Sequence, residues 1–231
     1  MEAIILAGGM GTRLRSVITD IPKPMAPIHD RPFLSILMDE LVEQGFQHLI
    51  LSTGYKHEVI EEFFGKQYRG IPLSYSREEK PLGTGGALRK ALQRTREREV
   101  FLLNGDTMFR VDLKNMYQFH HQQEADMTMA LKPMQNSSRY GVVETDRHRV
   151  VGFHEKSSQQ SGLINGGVYL IGKHLNQRLL VMDEKFSFEK DFMEVYYPDL
   201  KMIVFTADAY FIDIGIPEDY ARAHHELIGQ T

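Results

Sequence analysis

Residues 3–15 read AIILAGGMGTRLR, and residues 21–25 read IPKPM. The run Ala3-Ile4-Ile5-Leu6 has the length of a buried strand, and it stops at Gly8-Gly9 with Gly11 close behind. Glycine tolerates positive φ and lets backbone N–H groups approach a phosphate without an intervening Cβ. Arg13 closes this turn and Lys23 follows ten residues later. A strand, a glycine turn and two cations together predict an anionic ligand held against backbone. Two familiar glycine loops do not fit. A P-loop would end Gly-Lys-Ser/Thr, and the dinucleotide fingerprint begun at Gly9 would need glycine where Leu14 stands.

Bulk properties set the limits around that site. A chain of 231 residues with 42% hydrophobic and 25% charged side chains can bury a full core, and it has the balance of an ordinary water-soluble protein. With 27 basic and 31 acidic residues the net charge is −4, so no general positive field points to nucleic acid or lipid. The absence of cysteine removes disulfides, thiolate metal sites and cysteine nucleophiles. No signal-peptide pattern and no apolar run of membrane-spanning length occurs, so a cytoplasmic address is expected, with neither membrane nor nucleic acid as partner. A homodimer is admitted at this level, because no surface patch can be located from sequence.

Further along, apolar runs at 3–6, 47–52 and 99–103 alternate with helical periodicity at 32–44, 56–64 and 84–94. On the first of these helices Phe33, Leu34, Leu37, Leu41 and Val42 share one stripe. This alternation predicts an α/β protein with a parallel sheet covered on both faces. After residue 125 the pattern turns to strands at 126–132, 140–145, 148–154 and 164–171 with fewer helices, which predicts an antiparallel extension. A strand at 209–213 and a helix at 217–228 close the chain. No linker interrupts it, so one domain over 1–231 is expected. Its nucleotide-binding half would cover about 1–125 and its sugar-phosphate half about 126–231.

LAGGMGTRL with PKPM resembles the signature of the sugar-1-phosphate nucleotidylyltransferases. PLGTGGAL at 81–88, FLLNGDT at 101–107, FHEKS at 153–157, INGGVYL at 164–170, SFEKDF at 187–192 and FIDIGIPEDY at 211–220 follow in that family's order. The resemblance implies a Rossmann-like three-layer α/β/α fold with a predominantly parallel central sheet and a small antiparallel extension. It implies no C-terminal left-handed β-helix, since the chain stops soon after Asp213. SREEKPLGTGGAL and FIDIGIP look most like the branch that uses GTP and a heptose 1-phosphate, with a role in surface glycan synthesis. Mannose 1-phosphate with GTP, another sugar with UTP or CTP, and a non-catalytic nucleotide sensor are the alternatives. Ser16 and Ile216 depart from proline and threonine common in the family, at positions that would carry no chemistry.

The implied reaction is attack of a sugar phosphate on the α-phosphorus of a nucleoside triphosphate. Both partners are anions, so neutralisation and alignment can supply most of the acceleration. In open α/β sheets ligands lie beyond the carboxyl ends of the strands. Asp106 and Asp213 each close an apolar run there and would hold one Mg²⁺, an ion that takes one or two carboxylates plus substrate phosphates. By resemblance Arg13 would meet the leaving phosphates and Lys23 the α-phosphate and its attacker. Leu6, Ala7, Gly8, Gly9, Gly11, Thr12, Pro81, Gly83 and Thr84 would line the nucleotide, Gly83 by letting the base lie against backbone. Gly141, Glu155, Lys156, Asn165, Gly166 and Glu189 would line the sugar phosphate.

Glu78, three residues before Pro81, is by resemblance the reader of the base edge. An ionised carboxylate only accepts hydrogen bonds. Guanine offers N1–H and an amine side by side, whereas uracil and thymine offer one donor between two oxygens. Glu78 therefore favours GTP, with Glu79 as the neighbouring competitor. Asp112 starts a helix and is expected to cap it. His120-His121 and His224-His225 lack zinc spacing and are expected on solvated helix faces.

Overall fold

Ile4 and Ile5 are fully buried yet belong to different hydrophobic clusters, as expected when successive strand residues point to opposite faces. A strand covered on both faces requires a continuous apolar run, and AIIL supplies it. The computed structural model describes residues 1–9, 21–135, 137–154 and 161–227. In chain order β1 (Glu2–Leu6), β2 (Pro27–Ile28), β3 (Arg31–Pro32), α1 (Phe33–Glu43), β4 (His48–Thr53), α2 (His57–Phe64) and β5 (Gln67–Tyr68) come first. β6 (Ile71–Arg77), α3 (Gly83–Ala91), β7 (Val100–Asn104), β8 (Thr107–Phe109) and α4 (Leu113–Gln122) complete the first half. The second half holds β9 (Met127–Gln135), β10 (Val142–Asp146), β11 (Arg149–His154), β12 (Ser161–Ile171) and α5 (Lys173–Leu180). A π-helical turn at Phe188–Met193 then leads into the short α6 (Glu194–Tyr196), β13 (Met202–Thr206), β14 (Phe211–Asp213) and α7 (Pro217–Glu226).

A ten-stranded sheet has the order β10-β11-β13-β9-β12-β7-β1-β4-β6-β5. β7, β1, β4 and β6 form a parallel block, with Ile4 between Ile50 and Leu102. β12 runs antiparallel to both β7 and β9 and so joins that block to the second half. Its pairing with β9 is irregular between Asn165 and Tyr169, while Val168–Ile171 stay in register with β7. One face of the sheet packs Phe33, Leu34, Met38 and Phe101; the other packs Leu88, Leu102, Tyr169 and Phe188.

The expected elements are present with shifted ends; β2, β3, β5, β6, β8 and β13 are absent from the sequence reading, and the two longest of these have physical explanations. β6 reads IPLSYSR, where Pro72, Ser74 and Ser76 break the apolar run. β13 reads MIVFT, and a short apolar run alone does not separate strand from buried helix. β14 is shorter than expected and lies outside the main sheet, paired with β8. Asp112 caps α4 by accepting from Asn115 N–H at 2.9 Å. His120 corrects the expectation of a solvated pair. It is buried against Thr128 at 2.7 Å, and burial lowers its pKa to about 4, so it is neutral.

At the amino ends of the strands, Glu2 is a buried carboxylate. It accepts from Arg96 N–H at 2.7 Å and Glu97 N–H at 2.8 Å, and it pairs with His48 Nδ1 at 2.6 Å. His48 Nε2 continues the chain to Ser74 Oγ at 2.8 Å. Burial alone would raise the Glu2 pKa, but the Glu97, His48 and Arg96 bonds outweigh it and hold the carboxyl below its ordinary range. A carboxyl with a lowered folded pKa stabilises above its unfolded pKa and loses that contribution as pH falls through the folded one. Glu2→Gln is therefore expected to cost about 1–3 kcal/mol near neutral pH. Urea melts across a pH series should show the gap to wild type closing below the usual carboxylate range; a constant gap would refute it.

Candidate active site

The carboxyl ends of the parallel strands open onto a cavity of about 640 Å³. Beyond β1 the chain is pinned on both sides. Ala7 N–H donates to Ser52 O at 2.7 Å, and Gly105 N–H donates to Leu6 O at 2.9 Å. A Cβ at Gly105 would lie 2.6 Å from that Leu6 oxygen, so the approach of β7's end to β1 requires glycine. Gly8 and Gly9 thereby form one wall of the cavity.

Glu78 follows β6 and crosses in front of Gly8. A Cβ on Gly8 would sit 2.5 Å from Glu78 Oε1. Its Oε2 accepts from Leu82 N–H at 3.0 Å, and its own N–H donates to Thr53 O at 2.7 Å. Burial raises the Glu78 pKa, against the Leu82 hydrogen bond and the charge of Lys90. The carboxylate is thus half-desolvated on the cavity wall, with Oε2 already engaged by Leu82.

Two acids come from distant segments to one place. β8 and β14 pair with Thr107 opposite Asp213, which sets Asp106 one residue away. Ile214 N–H donates to Asp106 O at 3.0 Å and fixes the turn. Lys23, only 8% exposed, sits in the 3-10 turn Lys23–Met25 between two prolines. Its Nζ lies 2.5 Å from Asp106 Oδ2 and 3.6 Å from Asp213 Oδ1. Asp213 Oδ1 also accepts from Gly215 N–H at 2.8 Å. The donor set fits a hard divalent cation in part. Two carboxylates converge, and no group of three potential ligands occurs among the described residues, so substrate oxygens and water would complete the shell.

A second wall joins the two halves of the chain. Phe186 N–H donates to Leu82 O at 3.0 Å, and Phe186 O accepts from Gly85 N–H at 3.0 Å and Gly86 N–H at 3.3 Å. Thr84 Oγ1 donates to Glu189 Oε2 at 2.6 Å and accepts from Phe188 N–H at 2.9 Å. Gly83 has φ +75°, and a Cβ there would come 2.5 Å from Phe186 O. The fold thus supplies a reason of its own for that glycine. Gly83 is on the cavity wall, but the left-handed turn and the Phe186 carbonyl are what demand it.

Leu6, Gly8, Gly9, Lys23, Glu78, Pro81, Gly83, Thr84, Asp106 and Glu189 all line the cavity, and Asp213 meets it through Lys23. Gly11, Thr12, Arg13, Glu155 and Lys156 lie outside the described residues. Ala7, which is fully buried, and Gly141, Asn165 and Gly166 are not among the lining residues, which departs from the sequence reading. Asn165 Nδ2 donates to Tyr169 OH at 2.7 Å and its Oδ1 accepts from Gly167 N–H at 3.0 Å, so the amide is spent within β12. A Cβ on Gly166 would lie 2.3 Å from the Phe109 ring, a packing reason for glycine. Gly54, Tyr55, Asn104 and Gly215 also line the cavity and were missed. Each sits at or just past a strand end, so applying the strand-end rule to every strand would have found them.

Over residues 2–230 the chain matches the family model described as Nucleotidyl transferase. It is similar to the D-glycero-alpha-D-manno-heptose 1-phosphate guanylyltransferase of Aneurinibacillus thermoaerophilus, 53% identical over 227 residues with 98% of each chain covered. It is 47% identical over 229 residues to the enzyme of the same name from Campylobacter jejuni, with 99% of each covered. HddC from Yersinia pseudotuberculosis, solved in complex with GMP-PN, superposes with a TM-score of 0.86 at 37% identity, covering 98% of this chain and 99% of that one. A putative glucose-1-phosphate thymidylyltransferase from Bacillus anthracis shares the fold, with a TM-score of 0.86 at 20% identity. The resemblance read from the seven sequence blocks is borne out.

The two glycine walls respond differently to a methyl group. A Cβ at Gly85 would be 2.1 Å from the Phe186 ring, whereas one at Gly9 meets nothing within 4 Å. Gly85→Ala is expected to cost about 1–3 kcal/mol through overpacking. Gly9→Ala should leave the melting temperature near wild type, and equal melting temperatures for the two variants would contradict this.

Proposed function

The chain belongs to the nucleotidyl transferase family, and from that premise we propose that it joins GTP to D-glycero-α-D-manno-heptose 1-phosphate. A phosphate oxygen of the sugar phosphate forms a bond to the α-phosphorus, the bond to the β-phosphate oxygen breaks, and GDP-heptose and pyrophosphate result. The observation that carries this reading is the buried Lys23 ammonium between Asp106 and Asp213 at the mouth that Gly8 and Glu78 wall. The names of the two curated relatives support the guanylyl and heptose parts, as does the nucleotide in the HddC complex.

Each residue then has a task. Glu78 accepts the adjacent N1–H and amine of guanine, Oε1 and Oε2 taking one each while Leu82 N–H steadies the carboxylate. Lys23 stands where the α-phosphate and its attacker would meet, and lowers their mutual repulsion. Asp106 and Asp213 would hold Mg²⁺, which when bound supplies positive charge against the phosphates. By family resemblance Arg13 takes the leaving phosphates, and Glu155 with Lys156 takes the sugar and its phosphate. Glu189, fixed by Thr84 and Ser187, presents its carboxylate to sugar hydroxyls. No helix of the described residues is long and apolar enough to cross a membrane. We assign the enzyme to the cytoplasm, ahead of a glycosyltransferase that places the activated sugar on a surface glycan.

Initial rates with four triphosphates against heptose, mannose, glucose and N-acetylglucosamine 1-phosphates test the assignment. GTP with the heptose phosphate should give the highest kcat/KM. A mannose optimum would reassign the sugar, and UTP exceeding GTP would remove the role of Glu78.

Glu78→Gln replaces one acceptor oxygen by a donor, so the GTP/UTP ratio of kcat/KM should fall by about ten- to a hundredfold, equivalent to about 1–3 kcal/mol. In wild type that ratio should also decline on the acid side, at a higher pH than for an exposed carboxylate, because burial raises the Glu78 pKa. The Gln variant should show no such decline, and a ratio unchanged by the substitution would refute the base contact.

A further inference from the structure

A divalent ion and Lys23 would want the same two carboxylates. The ammonium occupies the point between them, 2.5 Å from Asp106 Oδ2 and 3.6 Å from Asp213 Oδ1. The surroundings give it little freedom to share that point. Lys23 is buried and follows Pro22 in a proline-braced turn. A Cβ at Gly215 would fall 3.0 Å from Nζ and 2.8 Å from Asp213 Oδ1, so the backbone closes the remaining side. A second full positive charge brought within coordination distance of these carboxylates would face the ammonium at a few ångströms in a partly desolvated site, where repulsion is poorly screened.

We infer that Lys23 acts as a resident cation that keeps the acid pair from binding a divalent ion until a triphosphate arrives. The inference rests on the proposed metal role of Asp106 and Asp213. In the free enzyme Lys23 offsets one of the pair's two negative charges and so lessens their repulsion without a metal. A triphosphate brings negative charge that offers the ammonium another partner. Lys23 then turns from Asp106 toward the phosphate, and the vacated carboxylate oxygens, with the phosphate oxygens, become a suitable set for the ion. Nucleotide and metal therefore enter together, and the free enzyme does not accumulate a metal-loaded state. The same side chain serves the acid pair first and the reacting phosphates afterwards.

The test measures Mn²⁺ binding by electron paramagnetic resonance, without nucleotide and with a non-hydrolysable GTP analogue, for wild type, K23M and K23Q and for D106N in each of these backgrounds. Two Lys23 variants are used in case one folds poorly, and circular dichroism checks each. Removing the ammonium should tighten Mn²⁺ binding by about tenfold or more. That gain should vanish in K23M/D106N, and wild type should gain Mn²⁺ affinity only when a non-hydrolysable GTP analogue is added. If wild type, K23M and K23Q bind Mn²⁺ equally and all lose it with D106N, the metal site stands and the gating role of Lys23 is overturned. If Mn²⁺ binding ignores Asp106 in every background, with and without the analogue, the metal reading falls and the inference falls with it.

Discussion

The contact between Lys23 and the Asp106–Asp213 pair is the constraint around which the site is arranged. Two carboxylates in a half-buried mouth repel each other, and the Lys23 ammonium between them reduces that repulsion. To place three such groups together the chain uses segments far apart in sequence. A proline-braced turn brings Lys23, the end of β7 brings Asp106, and a ribbon formed with β8 brings Asp213. α7 then braces the arrangement from outside. Tyr220 OH donates to Pro27 O at 2.5 Å, just beyond the Lys23 turn, and buried Asp219 pairs with Arg139 at 2.6 Å.

The second organising feature is the seam between residues 82–86 and 184–189. Its hydrogen bonds run both ways across more than a hundred positions of sequence, and Thr84 serves as donor and acceptor in the same contact. The walls supplied by the two halves of the chain are therefore one construction. The glycines of the 81–88 block serve this seam, with Gly83 supplying a left-handed turn and Gly85 admitting the Phe186 ring.

Much of this was legible because charge and glycine leave strong local marks. The strand before Gly8, the aspartate ending FLLNGD and the cation in PKPM could each be assigned from neighbours alone, and the strand-end rule brought them to one place. Asn165 lies off the cavity lining for an instructive reason. Its type suits a hydroxyl, but whether an amide faces a cavity or Tyr169 is decided by an irregularity in β12 that leaves no sequence signature. His120 failed similarly. A polar residue on a helix reads as solvated unless the sequence reveals its buried partner, here Thr128 on the adjacent strand. β6 was hidden because a strand near the sheet's edge can carry serines and a proline without penalty.

The irregular register of β12 has a bearing on how such a protein diversifies. Val168–Ile171 are locked to β7 beside the parallel block, while Ser161–Asn165 pair with β9 under a different offset. The bulge acts as a slip joint, because spacing errors introduced upstream of it are absorbed there. A change of spacing within Ser161–Asn165 can therefore be taken up there without moving Val168–Ile171 against β7. The parallel block that carries the glycine turn after β1 keeps its alignment while the outer strands are free to vary in length.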